Sequence, residues 1–240
     1  MNAVDVEPVE TPPAEFSEAA RVLAGRAAAA YYNPGEAVID HYARRLRGER
    51  RGCGATSDEL VGLAEGLRDI VVSWGIPPRC VSPGEYVAKS FFHPDRRWDF
   101  AVVGVDGQPV VLIEIKNGGA RHGHGRLRRD VEVAAAMALD SLLAYPLGTR
   151  LFRGAAFVIP TFRRTGALRN ARLRRDRLAA STRRFQHSVS QLVRCRLFDS
   201  VLALYMDERS FHPVADSLRP ERFLQRLHAF LGELPKETWG

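Results

Sequence analysis

Lysine is nearly absent from this chain: Lys89, Lys116 and Lys236 are the only three among 35 basic residues, and the other 32 are arginine. Cysteine is as scarce. Cys53, Cys80 and Cys195 are odd in number, widely spaced and never paired as C-x-x-C, which excludes a disulfide framework and a zinc site. No apolar run approaches the ~18–20 residues of a membrane span. Met1–Glu10 carries acids and no basic residue, unlike a secretory signal. Secreted, membrane and zinc-finger classes are set aside, and a soluble cytoplasmic protein with no membrane partner is the expectation.

What is present is 240 residues, 45% apolar and 26% charged, enough for one large domain or two small ones with a sizeable core. The formal net charge is +7 and the sequence pI is about 9.8. Arginine dominance has an ordinary cause in GC-rich coding, yet it makes each retained lysine informative. Charge is also unevenly spread. Arg163–Arg184 holds nine arginines against the single acid Asp176, a local excess of +8. Such a block is either a solvated loop and helix face or a footprint for a polyanion.

Residues 1–18 hold five acids and three of the 14 prolines and read as a flexible acidic tail. Apolar periodicity begins near Phe16 and Val22, and an Ala-rich helix runs to about Tyr32, where Asn33-Pro34-Gly35 breaks it. A second helix is expected from Glu36 to about Arg47. A third opens at Ser57-Asp58-Glu59, with Leu60, Leu63, Leu67 and Ile70 on one face, and ends near Trp74-Gly75.

Trp98–Val103 and Val110–Lys116 read as two strands joined by an Asp106-Gly107 turn, which makes a hairpin. Helical spacing over Leu127–Tyr145 and a short apolar strand at Ala155–Ile159 complete a strand–helix–strand crossover. The arginine block follows, then an amphipathic helix near Arg184–Phe198 and a strand at Ser200–Tyr205. Pro220 sits where a first-turn proline belongs and opens a last helix to about Leu234. The chain reads as one α/β domain with an N-terminal helical extension.

Charges inside an apolar strand call for a reason. Residues at i and i+2 share a face, so Glu114 and Lys116 lie side by side while Ile113 and Ile115 point the other way. Asp99 starts the partner strand, where the hairpin brings its carboxylate towards Glu114. Two carboxylates and a lysine suit phosphodiester hydrolysis. A hard dication such as Mg²⁺ takes one or two carboxylates together with waters and phosphate oxygens. It lowers the pKa of an attacking water and offsets developing charge. Lysine adds a compact positive charge whose pKa can shift where arginine's cannot. The same spacing also arises from ordinary ion pairing.

Phe91-Phe92, Trp98-Asp99, Asp106-Gly107 and Glu114-x-Lys116, in that order, resemble the XhoI-like type II restriction endonucleases of the PD-(D/E)XK superfamily. Glu132, Ala134, Ala138 and Asp140 fall at matching places in the following helix. Glu65-Gly66 and Leu218-Arg219-Pro220 are similar as well, so the likeness runs from about residue 57 to 233. It implies an α/β fold with a restriction-endonuclease-like core, a mixed central sheet flanked by helices. That core implies a single nuclease domain over residues 19–240, with a helical part over 19–75 and the catalytic core over 76–240. It further implies Asp99 and Glu114 as Mg²⁺ ligands, Lys116 as the catalytic lysine and Glu65 as a supporting carboxylate. Such enzymes act as homodimers on palindromic duplex DNA, beside a cognate methyltransferase that protects the host.

The loop after the E-x-K strand departs from the family, which is rich there in asparagine and aromatics. Here Asn117, Arg121, His122, His124, Arg126, Arg128 and Arg129 stand among glycines. Arginine suits the O6/N7 edge of guanine whereas asparagine suits adenine, so a G-richer site than the family's CTCGAG is expected. These residues, with Arg163 and Arg164, are the expected DNA contacts. His122 and His124 are poorly spaced for a closed metal site. Glu132 either supports the metal site or pairs with Arg128 or Arg129, and the ion pair is the expectation; Phe91-Phe92 is expected in the core rather than stacked on bases. The alternatives are a structure-selective or repair nuclease on the same core, or a non-catalytic DNA-binding protein on that scaffold.

Overall fold

The computed structural model describes residues 13–32, 58–93, 96–117, 124–146, 148–160, 171–206 and 211–240. Six strands form one mixed sheet in chain order: β1 (Val81–Val87), β2 (Arg97–Val103), β3 (Pro109–Asn117), β4 (Phe152–Pro160), β5 (Ser200–Met206) and β6 (Phe211–Pro213). β1, β2 and β3 run antiparallel, β3, β4 and β5 parallel, and β6 antiparallel to β5. The helices are α1 (Ala14–Tyr32), α2 (Asp58–Ser73), α3 (His124–Ala144), α4 (Ala171–Arg194) and α5 (Pro220–Gly232). The α/β class, with a mixed central sheet between helices, is as the sequence predicts. Among the described residues no helix is long and apolar enough to cross a membrane.

Alternation along the central strands sorts side chains into two layers. Phe100, Val102, Val111, Ile113, Ile115, Ala156, Val158, Leu202 and Leu204 face α1, α2 and α5 in one core. On the other face, Ala155, Phe157, Ile159, Val201 and Ala203 pack under α3 and α4. Ala101 and Leu112 continue that face beneath the C-terminal half of α3, with Trp98, Met137 and Tyr145. Small residues set the spacing. A Cβ at Gly154 would stand 3.0 Å from Ile113 Cγ1 and 3.1 Å from the Phe223 ring, so α5 sits directly on β4. Gly66 likewise lets α2 approach Leu23 of α1.

Several expectations are met. The Asp106-Gly107 turn closes the β2–β3 hairpin, with Gly107 at φ 77° and Asp106 Oδ1 accepting from Gln108 N–H at 3.0 Å. The crossover from β3 through α3 to β4 is parallel, and Pro220 is the first residue of α5.

Others are corrected. α1 begins at Ala14, inside the segment read as tail, because Phe16 is buried against Trp74 and His228. α4 begins at Ala171, well before Arg184, so the later part of the arginine block is helical. The same helix ends at Arg194, because Arg196 takes a left-handed φ of 56° and Leu197 N–H bonds back to Leu192 O. β1 and β6 were not anticipated. The helix expected at Glu36–Arg47 lies outside the described residues.

Candidate functional site

The β2–β3 ladder pairs Phe100 with Ile113, then stops. Beyond that rung the backbone N–H of Ile115 donates to Asp99 Oδ2 at 2.7 Å, so a side chain takes the place of the neighbouring strand's carbonyl. Asp99 is thereby fixed at the end of the pairing, on the face it shares with Ala101. Glu114 faces the same side, since it is in register with Ala155 while Ile113 and Ile115 point into the opposite core. Lys116, two residues on, forms an ion pair with Glu114 Oε1. The structure thus brings together Asp99, Glu114 and Lys116.

The environment of Glu114 is unusual for a carboxylate. Its side chain is 4% exposed, against 23% for Lys116, and its Oε2 is buried without a hydrogen-bond partner. Burial, reinforced by the negative charge of Asp99, pushes its pKa up to about 8, and the Lys116 ammonium offsets this only in part. When Glu114 is ionised this buried oxygen has no donor, and Asp99 can hydrogen-bond to it only through a shared proton, which is costly to lose. A cation between Asp99 and Glu114 would relieve both the orphaned oxygen and the like-charge repulsion. The donor set is all oxygen and therefore suits Mg²⁺. Among the described residues no group of three or more His, Cys, Asp or Glu side chains converges on one point. Two protein ligands with the remaining positions left to water and phosphate is the arrangement these residues can offer.

Glu65 is not brought to this cluster. It lies on α2, which packs on the Ile113/Ile115 face, away from Glu114, and its carboxylate stands 3.4 Å from Arg68 Nη1. Glu132 pairs with Arg128 at 2.7 Å across one helical turn, as expected, and both side chains are exposed. Arg129 is also exposed at the start of α3. Arg121, His122, Arg163 and Arg164 lie outside the described residues, as do the side chains of Asn117, His124 and Arg126. Arg183 and Arg184, at the end of the arginine block, are exposed on α4.

Phe91 and Phe92 overturn their assignment to the core: they are 63% and 60% exposed, edge to face at 4.9 Å between ring centres. The cause is Asp140 on α3, 1% exposed. Its Oδ1 accepts from Phe91 N–H at 2.8 Å and Phe92 N–H at 2.7 Å. Its Oδ2 takes the Ser90 hydroxyl and lies 3.4 Å from Arg96 Nε. With the backbone turned inward to this carboxylate, the two rings turn outward. Sequence reasoning placed Asp140 in a matching helix without finding this role, since its partners are 44 to 50 residues distant.

Among known proteins, no family model, no curated protein and no solved structure matches this chain.

Proposed function

We propose that the chain is a Mg²⁺-dependent type II restriction endonuclease with a PD-(D/E)XK catalytic core. It would act as a homodimer on a short palindromic site in duplex DNA, inside a cell whose DNA a cognate methyltransferase protects. The observation that carries this reading is Glu114, a buried carboxylate with one oxygen on Lys116 and the other unsatisfied, beside Asp99. A structural ion pair would not gain from a second carboxylate at that position.

Asp99 and Glu114 would hold the ion. The chemistry supplied by Mg²⁺ held there would be polarisation of the scissile phosphate and a more acidic attacking water. The chain's own contribution begins with Asp99, whose bond to Ile115 N–H fixes one carboxylate oxygen and holds the group beside Glu114. Glu114 on β3 is in register with Ala155 of β4, and on the β2 side the bond from Ile115 N–H to Asp99 holds the backbone beside it. Lys116 extends from the same strand to the partly open side of the cluster, where its ammonium can orient a water and balance charge on phosphate. Arg129, Arg183 and Arg184 are exposed cations suited to phosphate contacts, which give salt-sensitive, sequence-blind affinity.

The test is a gel assay on unmethylated phage DNA with Mg²⁺ or with EDTA, running Lys116→Ala alongside the parent protein. Discrete bands that need Mg²⁺ and vanish in the variant are expected, and end-sequencing then names the site. A smear would point to a structure-selective nuclease. Intact DNA bound equally by both proteins would leave a DNA-binding protein.

A further inference from the structure

The exposed phenylalanine pair is the feature least explained by folding. Two adjacent aromatic rings, each more than half exposed, forgo burial that would stabilise the fold. They are not on a loosely held loop. Asp140 accepts from the backbone N–H groups of Phe91 and Phe92 and from the Ser90 hydroxyl, and His93 N–H adds a bond to Ser90 Oγ at 3.1 Å. Ala88 and Trp98, at either end of the loop, are buried against Met137 and Tyr145. A buried aspartate is thus used to present the rings rather than to hide them.

Their surroundings narrow the partner. The exposed described side chains along this loop include Lys89, His93 and Arg97, with Arg96 half-buried behind them. Asp140, the described carboxylate that meets the loop, is wholly buried, and Asp95 is the one acid in the loop's own sequence, against Lys89, Arg96 and Arg97. Aromatic rings between cationic side chains suit nucleic-acid bases flanked by phosphates. The loop also feeds directly into β2. Phe92 is seven residues before Asp99, at most about 25 Å along an extended chain, within reach of a duplex lying on the carboxylate cluster.

We infer that Phe91 and Phe92 form a preorganised wedge that stacks on bases of the bound duplex beside the cleavage site, with Asp140 as the residue that positions it. The inference rests on the nuclease reading and extends it to a specific contact with the substrate. Stacking of this kind contributes by shape and surface, not by charge.

The experiment measures binding of a fluorescein-labelled duplex carrying the site mapped by cleavage, in Ca²⁺ without Mg²⁺, across a salt series. Phe91→Ala/Phe92→Ala is expected to weaken binding by about tenfold or more, with the slope of log affinity against log salt unchanged. Phe91→Tyr/Phe92→Tyr is expected to restore it, and thermal melting of both variants reports that the fold is kept. A 2-aminopurine base within the site should brighten on binding the parent protein and the tyrosine variant but not the alanine variant.

Alanine-variant affinity within about twofold of the parent, while Mg²⁺-dependent cleavage still requires Lys116, would overturn the wedge and leave the nuclease. A shift of the free alanine variant to a smaller species in sedimentation would assign the rings to a second copy of the chain, and would overturn the wedge as well. Exposed Leu139 and Leu143 on α3 would be the natural continuation of such a contact. Absence of any discrete cleavage by the parent would remove the nuclease reading and the wedge together.

Discussion

Asp99 Oδ2 accepts a hydrogen bond from the backbone N–H of Ile115, 2.7 Å away, where the β2–β3 ladder would otherwise continue. A strand pairing that ends on a carboxylate does two things at once. It satisfies an inward-facing amide without a partner strand, and it sets an acid against the next residue in register, Glu114. The bond that ends the strand pairing and the placing of Asp99 beside Glu114 are therefore inseparable.

Glu114 makes the metal-free protein sensitive to pH. Its carboxyl holds its proton to about pH 8 in the folded chain, against an ordinary value of 4.5. A raised folded pKa means that the native state binds more protons than the unfolded one between these values. The stabilising contribution is complete below about pH 4.5 and is lost as pH rises through 8. Glu114→Gln should consequently melt higher than the parent near pH 8, by roughly 5 °C, and close to it near pH 5. Melting curves in EDTA at the two pH values check this.

Cation binding at the same pair should release a proton. Below pH 8 a divalent ion must displace the proton on Glu114, so affinity for Mg²⁺ or Ca²⁺ should rise by up to about tenfold per pH unit between 6 and 8. Calorimetry in buffers of different ionisation enthalpy measures the proton count. A pH-independent affinity with no proton release would show that Glu114 is not a ligand.

Asp140→Ala should destabilise the protein by about 3 kcal/mol, since it leaves two backbone N–H groups and a hydroxyl without their acceptor. Burial alone would raise the pKa of this carboxyl, but bonds from Ser90, Phe92, Phe91 and Arg96 together hold it below the usual 3.8. Its contribution is present above that pH and is lost as pH falls through the lowered folded value. The variant's deficit in Tm should therefore shrink in strong acid, which a pH series of melting curves would follow.

Gly154→Ala should cost about 1–3 kcal/mol, because the new methyl group meets Ile113 and the Phe223 ring at contact distances too short to keep. Denaturant unfolding measures the loss. Unchanged stability would mean that α5 can lift from β4 freely.

Glu132→Ala should leave both cleavage and Tm close to the parent, within about twofold and 1 °C. Its partner is the exposed Arg128, and surface pairs of this kind contribute little. Loss of activity in this variant would put Glu132 in the catalytic cluster.

The parts legible in the sequence are those whose signal is local. Alternation through Val110–Lys116 identifies β3 and separates Glu114 and Lys116 from Ile113 and Ile115, and Asp106-Gly107 fixes the hairpin that carries Asp99. β1 was hidden because Pro83 and Gly84 interrupt the pattern, which a sheet edge tolerates and a central strand does not. The onset of α4 was hidden because a helix start dense in arginine has no apolar stripe to announce it. The outward turn of Phe91 and Phe92 depends on Asp140, 49 and 48 residues distant, and no window of sequence contains both. The orphaned Oε2 of Glu114 depends on packing from two neighbouring strands and is invisible before they are assembled.

The two edges of the sheet have a consequence for how copies of this chain can meet. β1 carries Pro83 and an irregular register beside it, and β6 is three residues long and ends in Pro213. Each proline removes a backbone donor, and neither edge offers a long, flat row of free amides and carbonyls. Growth of the sheet across two molecules is thereby disfavoured at both described edges, which guards the sheet against edge-to-edge aggregation. Among the described residues, a twofold pairing is then left to the helices and loops that cover the sheet's faces.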